Sequence, residues 1–300
     1  TKYDLIVSSS ATSAKYIRNF HGKHVCYCYF PTRAIWDSDS YFRTQKSGFF
    51  DVQKVRLMKL LTSSLKPVDK SASLRVKKFI AISQFTSKKI KEIYGANSTV
   101  INCPIRLGDF KRQYSMLSKT SQKRKESFLL VSRLERWKGI DHVIQLFKKN
   151  GLPLRIAGVG ADSKHFKEIA GSNTIFLGHL DECELAYEFF HAKALIMPSY
   201  IEYGLTPLEA LAFGTPVIGL KSPGTDETLE ISKANKQMGG ELYLSKLGVI
   251  YCSADEEGLE KAIDLFLKNK FQAADALHHA AAYCPKKFKE KLKMEILNLT

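Results

Sequence analysis

No apolar run in the 300-residue chain approaches the ~20 residues that a membrane-crossing helix needs, and no leader pattern opens it. The six cysteines (Cys26, Cys28, Cys103, Cys183, Cys252, Cys284) contain no CxxC pair and no metal-ligand spacing. That argues against a structural zinc site and a disulfide scaffold, and leaves reduced thiols in a cytoplasmic protein as the expectation. His21/His24 and His278/His279 have no third ligand in view. Asp37-Ser38-Asp39 fits a D-x-D pattern but stands apart from every anion-binding turn, so no metal is expected. Gly158-Val159-Gly160 lacks the third glycine of a dinucleotide fingerprint, which argues against a nicotinamide site. No short repeat and no recognisable nucleic-acid motif is present.

Acidic residues are scarce in one half only. Residues 1–126 carry 25 Lys and Arg against 8 Asp and Glu, a net +17, whereas residues 127–300 carry 21 against 22, a net −1. So uneven a charge belongs to one surface rather than to general solubility. An anionic membrane, a polyanionic acceptor, nucleic acid or a plain solvated lysine face each accounts for it.

With 44% hydrophobic residues the chain is globular and long enough for two domains. Strands are expected at 1–8, 24–30, 78–83 and 98–102, with helices at 11–20, 50–65, 69–77 and 84–94. Residues 36–50 read as an irregular loop, and 111–126 as a polar, basic linker without periodicity. Beyond the linker the rhythm restarts. Strands are expected at 128–131, 154–157, 174–177, 194–197, 217–220 and 248–252, with helices at 139–149, 163–170, 181–191, 205–213 and 254–268 and further helical segments to Leu299. Such alternation specifies parallel sheets. The domains are therefore expected at 1–110, incomplete, and at 127–300, with 111–126 between them.

Three turns carry chemistry. Ser132-Arg133-Leu134 and Trp137-Lys138-Gly139 follow one strand and open a helix, so that two cations stand beside helix amides as a diphosphate clamp. Tyr203-Gly204 leads into a second helix, whose Gly204, Leu205 and Thr206 amides form an anion site. Glu209, one turn further on, is placed to accept hydrogen bonds from ligand hydroxyls. Phosphate on amides and a diol on a carboxylate together describe a nucleotide-sugar. Gly158 and Gly160 are expected to permit close backbone approach, and Pro223 to Glu227 to form a loop or plain turn.

The stretch from Met197 to Thr228 resembles the donor-site signature of the retaining family 4 glycosyltransferases, of GT-B fold. Tyr203-Gly204 and Glu209-Ala210 match the signature, and Arg133 and Lys138 fall on the pair that holds the diphosphate leaving group in similar members. The family's first Glu falls on Ile201, and Glu202 lies one residue late. The resemblance places Leu180, after Gly178-His179, beside the nucleobase. It is dense over 128–229 and looser over 3–105, where CYCYFPTRAIWD and FIAISQFTSKKIKEIYG are similar to mannosyltransferase-like members. Those members begin with a Gly-rich strand-loop-helix not found here, which implies a truncated or reduced first domain. Related sequences also place a His where Tyr29 stands.

The resemblance implies a metal-independent retaining hexosyltransferase made of two Rossmann-like domains. Its donor would be a GDP- or UDP-hexose, possibly mannose by the family comparison, and no cofactor is expected. The acceptor would be a saccharide or lipid-linked saccharide in polysaccharide or lipopolysaccharide synthesis, met at the inner face of the cytoplasmic membrane. Arg133, Lys138 and Glu202 would be catalytic; Arg133, Lys138, Leu180, Gly204, Leu205, Thr206 and Glu209 would bind donor. A non-catalytic nucleotide-sugar-binding protein is the first alternative and a nucleic-acid-binding protein the second, although no specific nucleic acid is expected as a partner.

Overall fold

A computed structural model describes residues 3–17, 22–37, 57, 61–105, 107–120, 126–231, 237–238 and 240–299. The chain forms two compact units, one of residues 1–103 with 288–300 and the other of residues 104–287. The carboxy-terminal residues that the sequence groups with the second domain thus belong to the first unit.

The first unit is a four-stranded parallel sheet in the order β1 (Leu5–Ser10), β2 (Lys23–Cys28), β3 (Lys78–Ala81) and β4 (Ser98–Val100). Strand β2 is buried on both faces: Cys26 and Cys28 join Phe79 and Tyr94 in one core cluster, while Tyr27 meets the Phe288 ring edge-on at 5.6 Å. Helix α1 (Arg33–Trp36) runs up to the start of the expected loop at 36–50, which lies outside the described residues beyond Asp37, and α2 (Lys66–Ser73) begins and ends earlier than its sequence suggests, with Pro67 in its first turn. Pro is tolerated there because the first-turn amides have no intrahelical acceptor. Helix α3 (Gln84–Tyr94) is capped by the Ser83 hydroxyl, which accepts from the Thr86 amide, and ends at Gly95 in the left-handed region, φ 69°.

Of the expected helix at 11–20, the described residues show only a single 3₁₀ turn at Ala14–Tyr16. The expected helix at 50–65 lies largely outside them, as do Ser38 and Asp39 of the D-x-D pattern. Tyr29, where relatives carry His, is 38% exposed and accepts a hydrogen bond from the Ser9 hydroxyl at 3.0 Å.

A buried carboxylate organises this unit. Asp69 on α2 is inaccessible to solvent and receives five donors. Tyr16 Oη (2.5 Å), Thr32 Oγ1 (2.7 Å) and Lys15 Nζ (2.8 Å) reach Oδ1; Trp36 Nε1 and Tyr94 Oη, both at 2.7 Å, reach Oδ2. Burial pushes this carboxyl up, but the Lys15, Tyr16, Tyr94 and Trp36 donors outweigh it and hold it below the ordinary carboxylate range.

The second unit opens with α4 (Leu107–Thr120), where the sequence predicts an irregular linker. Two apolar residues one turn apart explain the difference. Tyr114 and Leu117 pack against the core, and Tyr114 meets Phe190 edge-on at 5.3 Å. The flanking polar residues hide this short stripe from a periodicity count.

The strand-helix alternation then follows its expected course: β5 (Phe128–Val131), α5 (Ile140–Asn150), β6 (Leu154–Ala157), α6 (Ser163–Ile169), β7 (Thr174–Gly178), α7 (Glu182–His191), β8 (Leu195–Met197), α8 (Leu205–Ala212) and β9 (Val217–Leu220). Residues 223–228 form a short helix, α9 (Pro223–Thr228), rather than the expected loop, because Ser222 and Thr225 cap each other's backbone amides.

Two short strands unforeseen in the sequence, β10 (Gln237–Met238) and β11 (Leu242–Ser245), precede β12 (Gly248–Tyr251). Helices α10 (Glu256–Leu267) and α11 (Ala273–Ala280) follow, and α12 (Pro285–Leu297) belongs from Phe288 onward to the first unit. The sheet order is β10-β11-β12-β9-β8-β5-β6-β7, parallel except at β10 and β11. Strand alternation splits its core in two: Phe128 and Leu130 enter one cluster and Leu129 the other, as Ile196 and Ile218 oppose Leu195 and Val217. Both faces are covered by helices, which makes this a doubly wound α/β layer.

Candidate functional site

The winding of the second sheet locates a crevice. From β5 the chain steps outward through β6 and β7, then returns to β8 on the other flank of β5 and proceeds through β9 to β12. The segments leaving β5 and β8 therefore part company at the carboxyl ends of neighbouring strands. Open α/β sheets bind ligands at such a switch point.

The chemistry-bearing turns and Leu180 lie on this rim. Arg133 and Lys138 are in the segment after β5, Gly204 to Glu209 follow β8, and Leu180 follows β7. The β5 and β8 segments come close at Gly139, where a Cβ would lie 3.2 Å from the Pro198 carbonyl oxygen. Gly139 is left-handed, φ 69°, and joins the 3₁₀ turn Arg136–Lys138 to α5.

The β5 segment is braced from behind. Ser132 and Leu134 amides donate to the Ala157 and Val159 carbonyls, both at 3.1 Å. The expected close approach is realised here, since a Cβ at Gly158 would lie 1.9 Å from Ser132 O and one at Gly160 2.3 Å from Leu134 O. Asp162 accepts from the Arg136 amide at 3.0 Å. On this frame the Arg133 side chain is 71% exposed and meets Glu135 Oε1 at 3.5 Å. The other oxygen of Glu135 accepts from Trp137 Nε1 at 2.7 Å, and Lys138 Nζ lies 4.1 Å from the Trp137 ring centroid. Glu135 and Trp137 thus sit with the two cations; nothing in their spacing marks them in the sequence.

Helix α8 is apolar except where it faces the rim. Pro207, Leu208, Ala210, Leu211 and Ala212 are buried, leaving Leu205, Thr206 and Glu209 at helical offsets of one and four. Side chains tilt toward the helix amino terminus, so Glu209 lies over the turn that begins at Gly204. No side chain caps that turn, and Pro207 has no amide hydrogen to offer. Gly204 is needed because a Cβ would stand 2.8 Å from Thr228 Oγ1. Burial lifts the Glu209 carboxyl above its ordinary range, and the charge of Glu182 adds to the shift.

Ile201, at the position of the family's first Glu, packs into the core beside Tyr203, and its carbonyl accepts from the Gly224 amide at 2.8 Å. An apolar anchor therefore occupies that position, with half-buried Glu202 between two core-facing neighbours. Leu180 is half-buried and packs against the same cluster. No group of three His, Cys, Asp or Glu able to hold a metal ion occurs among the described residues.

The Glycosyl transferases group 1 family matches residues 115–283, more than half of the chain. The chain belongs to this family. It is 30% identical over 140 residues to an uncharacterised 41.2 kDa protein of the Klebsiella pneumoniae cps region, a match covering 44% of this chain and 37% of that one. To a Mycobacterium tuberculosis (strain ATCC 25618 / H37Rv) glycogen synthase it is 29% identical over 161 residues, covering 50% and 39%. The chain thus spans well under half the length of these curated relatives.

Among solved structures it resembles the sucrose-phosphate synthase of Thermosynechococcus elongatus, with TM-score 0.71 and 17% identity over 99% of this chain and 74% of that one. Anabaena HepE in complex with UDP gives 0.70 and 14% over 99% and 79%. These likenesses establish the fold, the α/β GT-B glycosyltransferase fold.

Proposed function

We propose that this chain is a retaining hexosyltransferase of the family 4 type, taking a hexose, mannose among the candidates, from a UDP- or GDP-sugar to a saccharide or lipid-linked acceptor in cell-surface polysaccharide synthesis. The observation that carries the reading is the pairing across the switch point. Two cations follow β5, and an uncapped helix start with a carboxylate follows β8. Arg133, Lys138 and the Leu205 and Thr206 amides neutralise the departing diphosphate, the largest charge developed in the reaction. No metal is required in this reading. Glu209 accepts hydroxyls of the donor, Glu202 serves the reacting sugar, and Leu180 lies against the base. A thermal-shift screen of UDP-, GDP- and ADP-sugars tests the reading, because a ligand bound only by the folded state raises its stability. No shift with any of them would overturn it.

Glu209 gives a sharper result. Glu209→Gln should weaken donor binding by about 1.5–3 kcal/mol, the scale of a hydrogen bond to a charged group, and Glu202→Gln by less. Equal losses would place the register one residue away. The raised carboxyl also sets a pH dependence. As pH falls, Glu209 protonates earlier than an ordinary glutamate, so donor affinity should decline above the usual carboxylate range. The Glu209→Gln variant should lack this limb, and a limb retained in it would assign the titration elsewhere.

Ile201 favours one second reading, a nucleotide-sugar-binding protein without turnover. Donor binding with no transfer to any acceptor, in wild-type protein that hydrolyses no donor, would select it.

We further propose that the basic half works at an anionic membrane surface on the cytoplasmic side. No helix among the described residues is long and apolar enough to cross a membrane. Leu61, Leu65 and Val68 nevertheless lie 60%, 46% and 56% exposed at helical spacing, with Lys66 and Lys70 beside them. Basic side chains gain about 1 kcal/mol each near an anionic leaflet, over a Debye length of about 8 Å. The protein should sediment with anionic vesicles, leave them in high salt and ignore zwitterionic ones. Leu61→Gln with Val68→Gln should weaken sedimentation, whereas failure of wild type to bind at low salt would favour a soluble acceptor.

A further inference from the structure

The second unit holds a cavity of about 460 Å³ that the donor reading does not use. Its walls are the residues after α9 (Leu229, Glu230), the end of β11 with the turn into β12 (residues 244–247) and the segment after α10 (residues 269–271). The turn precedes β12, which runs parallel to β9, and β9 to β8. The cavity therefore lies at the amino ends of these strands, on the rim opposite the donor turns.

The lining has a definite chemistry. Leu229, Leu247 and Phe271 give an apolar floor, with the Phe271 ring stacked on Phe266 at 4.8 Å. Two cations, Lys246 and Lys270, come from separate segments. Asn269 donates one side-chain N–H to the Leu265 carbonyl at 2.7 Å, and its amide oxygen is an acceptor. Glu230 adds a carboxylate and stands 3.7 Å from His279 Nδ1. Its backbone is left-handed, φ 52°, the one non-glycine of positive φ among the described residues. Such a conformation persists only where its surroundings fix it. Acceptors for hydroxyls, two exposed lysines for an anionic group and an apolar face for ring C–H groups together describe a charged sugar. The volume falls within the range of small-molecule sites.

One short helix links this cavity to the donor turn. The Gly224 amide of α9 donates to the Ile201 carbonyl at 2.8 Å, and Thr228 Oγ1 fills the space a Cβ at Gly204 would need. Leu229 and Glu230, which follow directly, are cavity wall. Any shift of Glu230 is thus felt within two residues of a donor-turn contact.

We infer that the cavity binds an anionic monosaccharide, a sugar phosphate or a uronic acid, and that its occupancy biases the donor turn through α9. The binding stands alone; the coupling rests on the donor reading above. Calorimetric titration of the full chain with glucose 6-phosphate, glucuronic acid, glucose and inorganic phosphate tests the first. One or both anionic sugars should bind saturably, at least tenfold tighter than glucose or phosphate. Lys246→Ala with Lys270→Ala should lose at least tenfold in affinity, whereas Arg133→Ala with Lys138→Ala should bind as wild type. Absence of saturable binding, or a loss in the clamp variant instead, overturns the site.

For the coupling, whichever of UDP, GDP and ADP the donor screen selects is titrated with and without the saturating sugar. A change of fivefold or more is expected, and the nucleotide should alter sugar affinity by the same factor. Equal nucleotide affinities overturn the coupling. If no nucleotide binds at all, the donor reading and the coupling fall together, and the sugar titration still decides the cavity.

Discussion

Asp69→Asn is expected to destabilise the first unit by about 3–5 kcal/mol, the scale for breaking a buried ion pair by removing one partner. The Lys15 ammonium is 4% exposed and would keep its charge with no carboxylate to meet it. The new amide would also present two hydrogens to a site where Tyr16, Thr32, Trp36 and Tyr94 all point donors. Urea unfolding of wild type and variant measures the difference, and a loss below 1 kcal/mol would reduce the network to ordinary packing. The sign of the pH dependence follows from the depressed carboxyl. Its contribution is fully present above the unfolded carboxylate pKa and is lost as pH falls through the lower folded value. The variant should therefore show a flatter acid limb than wild type.

The second large effect falls on turnover. Arg133→Ala and Lys138→Ala should each forfeit about 2–4 kcal/mol of transition-state stabilisation, or roughly 30- to 1,000-fold in kcat/KM. The fold should survive the first, because the Arg133 side chain is 71% exposed and its ion pair with Glu135 is at 3.5 Å on the surface. Lys138 is half-buried against Trp137, so its variant needs an unfolding curve beside the kinetics. Turnover within twofold of wild type in both would remove the clamp. A fall in kcat with donor affinity retained would place the interaction in the transition state alone.

Much of the second unit was legible along the chain. Strands 128–131, 154–157 and 217–220 form where runs of buried apolar residues predict them. Helix α5 likewise buries Ile140, Val143, Ile144 and Phe147, at the spacing of one helix face, and stops at Gly151. The linker misled because two core contacts, Tyr114 and Leu117, are too few to raise a periodic signal against their charged neighbours. The loop at 223–227 misled because its helical turn depends on a hydroxyl exchange between Ser222 and Thr225 rather than on hydrophobic spacing.

Local pattern, then, settled the parallel α/β class, the turns after β5 and β8, and the order in which Arg133, Lys138 and Glu209 occur. Those features follow from residues within a few positions of each other, where backbone period and glycine placement dominate. Tertiary structure alone decided the rest. It set β5 beside β8 across sixty-odd residues and so made one crevice of two turns. It turned Ile201 inward as an anchor and left Glu209 over an uncapped helix start. It also gathered Lys15, Tyr16, Thr32, Trp36 and Tyr94 onto one carboxylate. Donors so far apart in sequence share no period, and only the packing of the sheet and its helices brings them within hydrogen-bond reach.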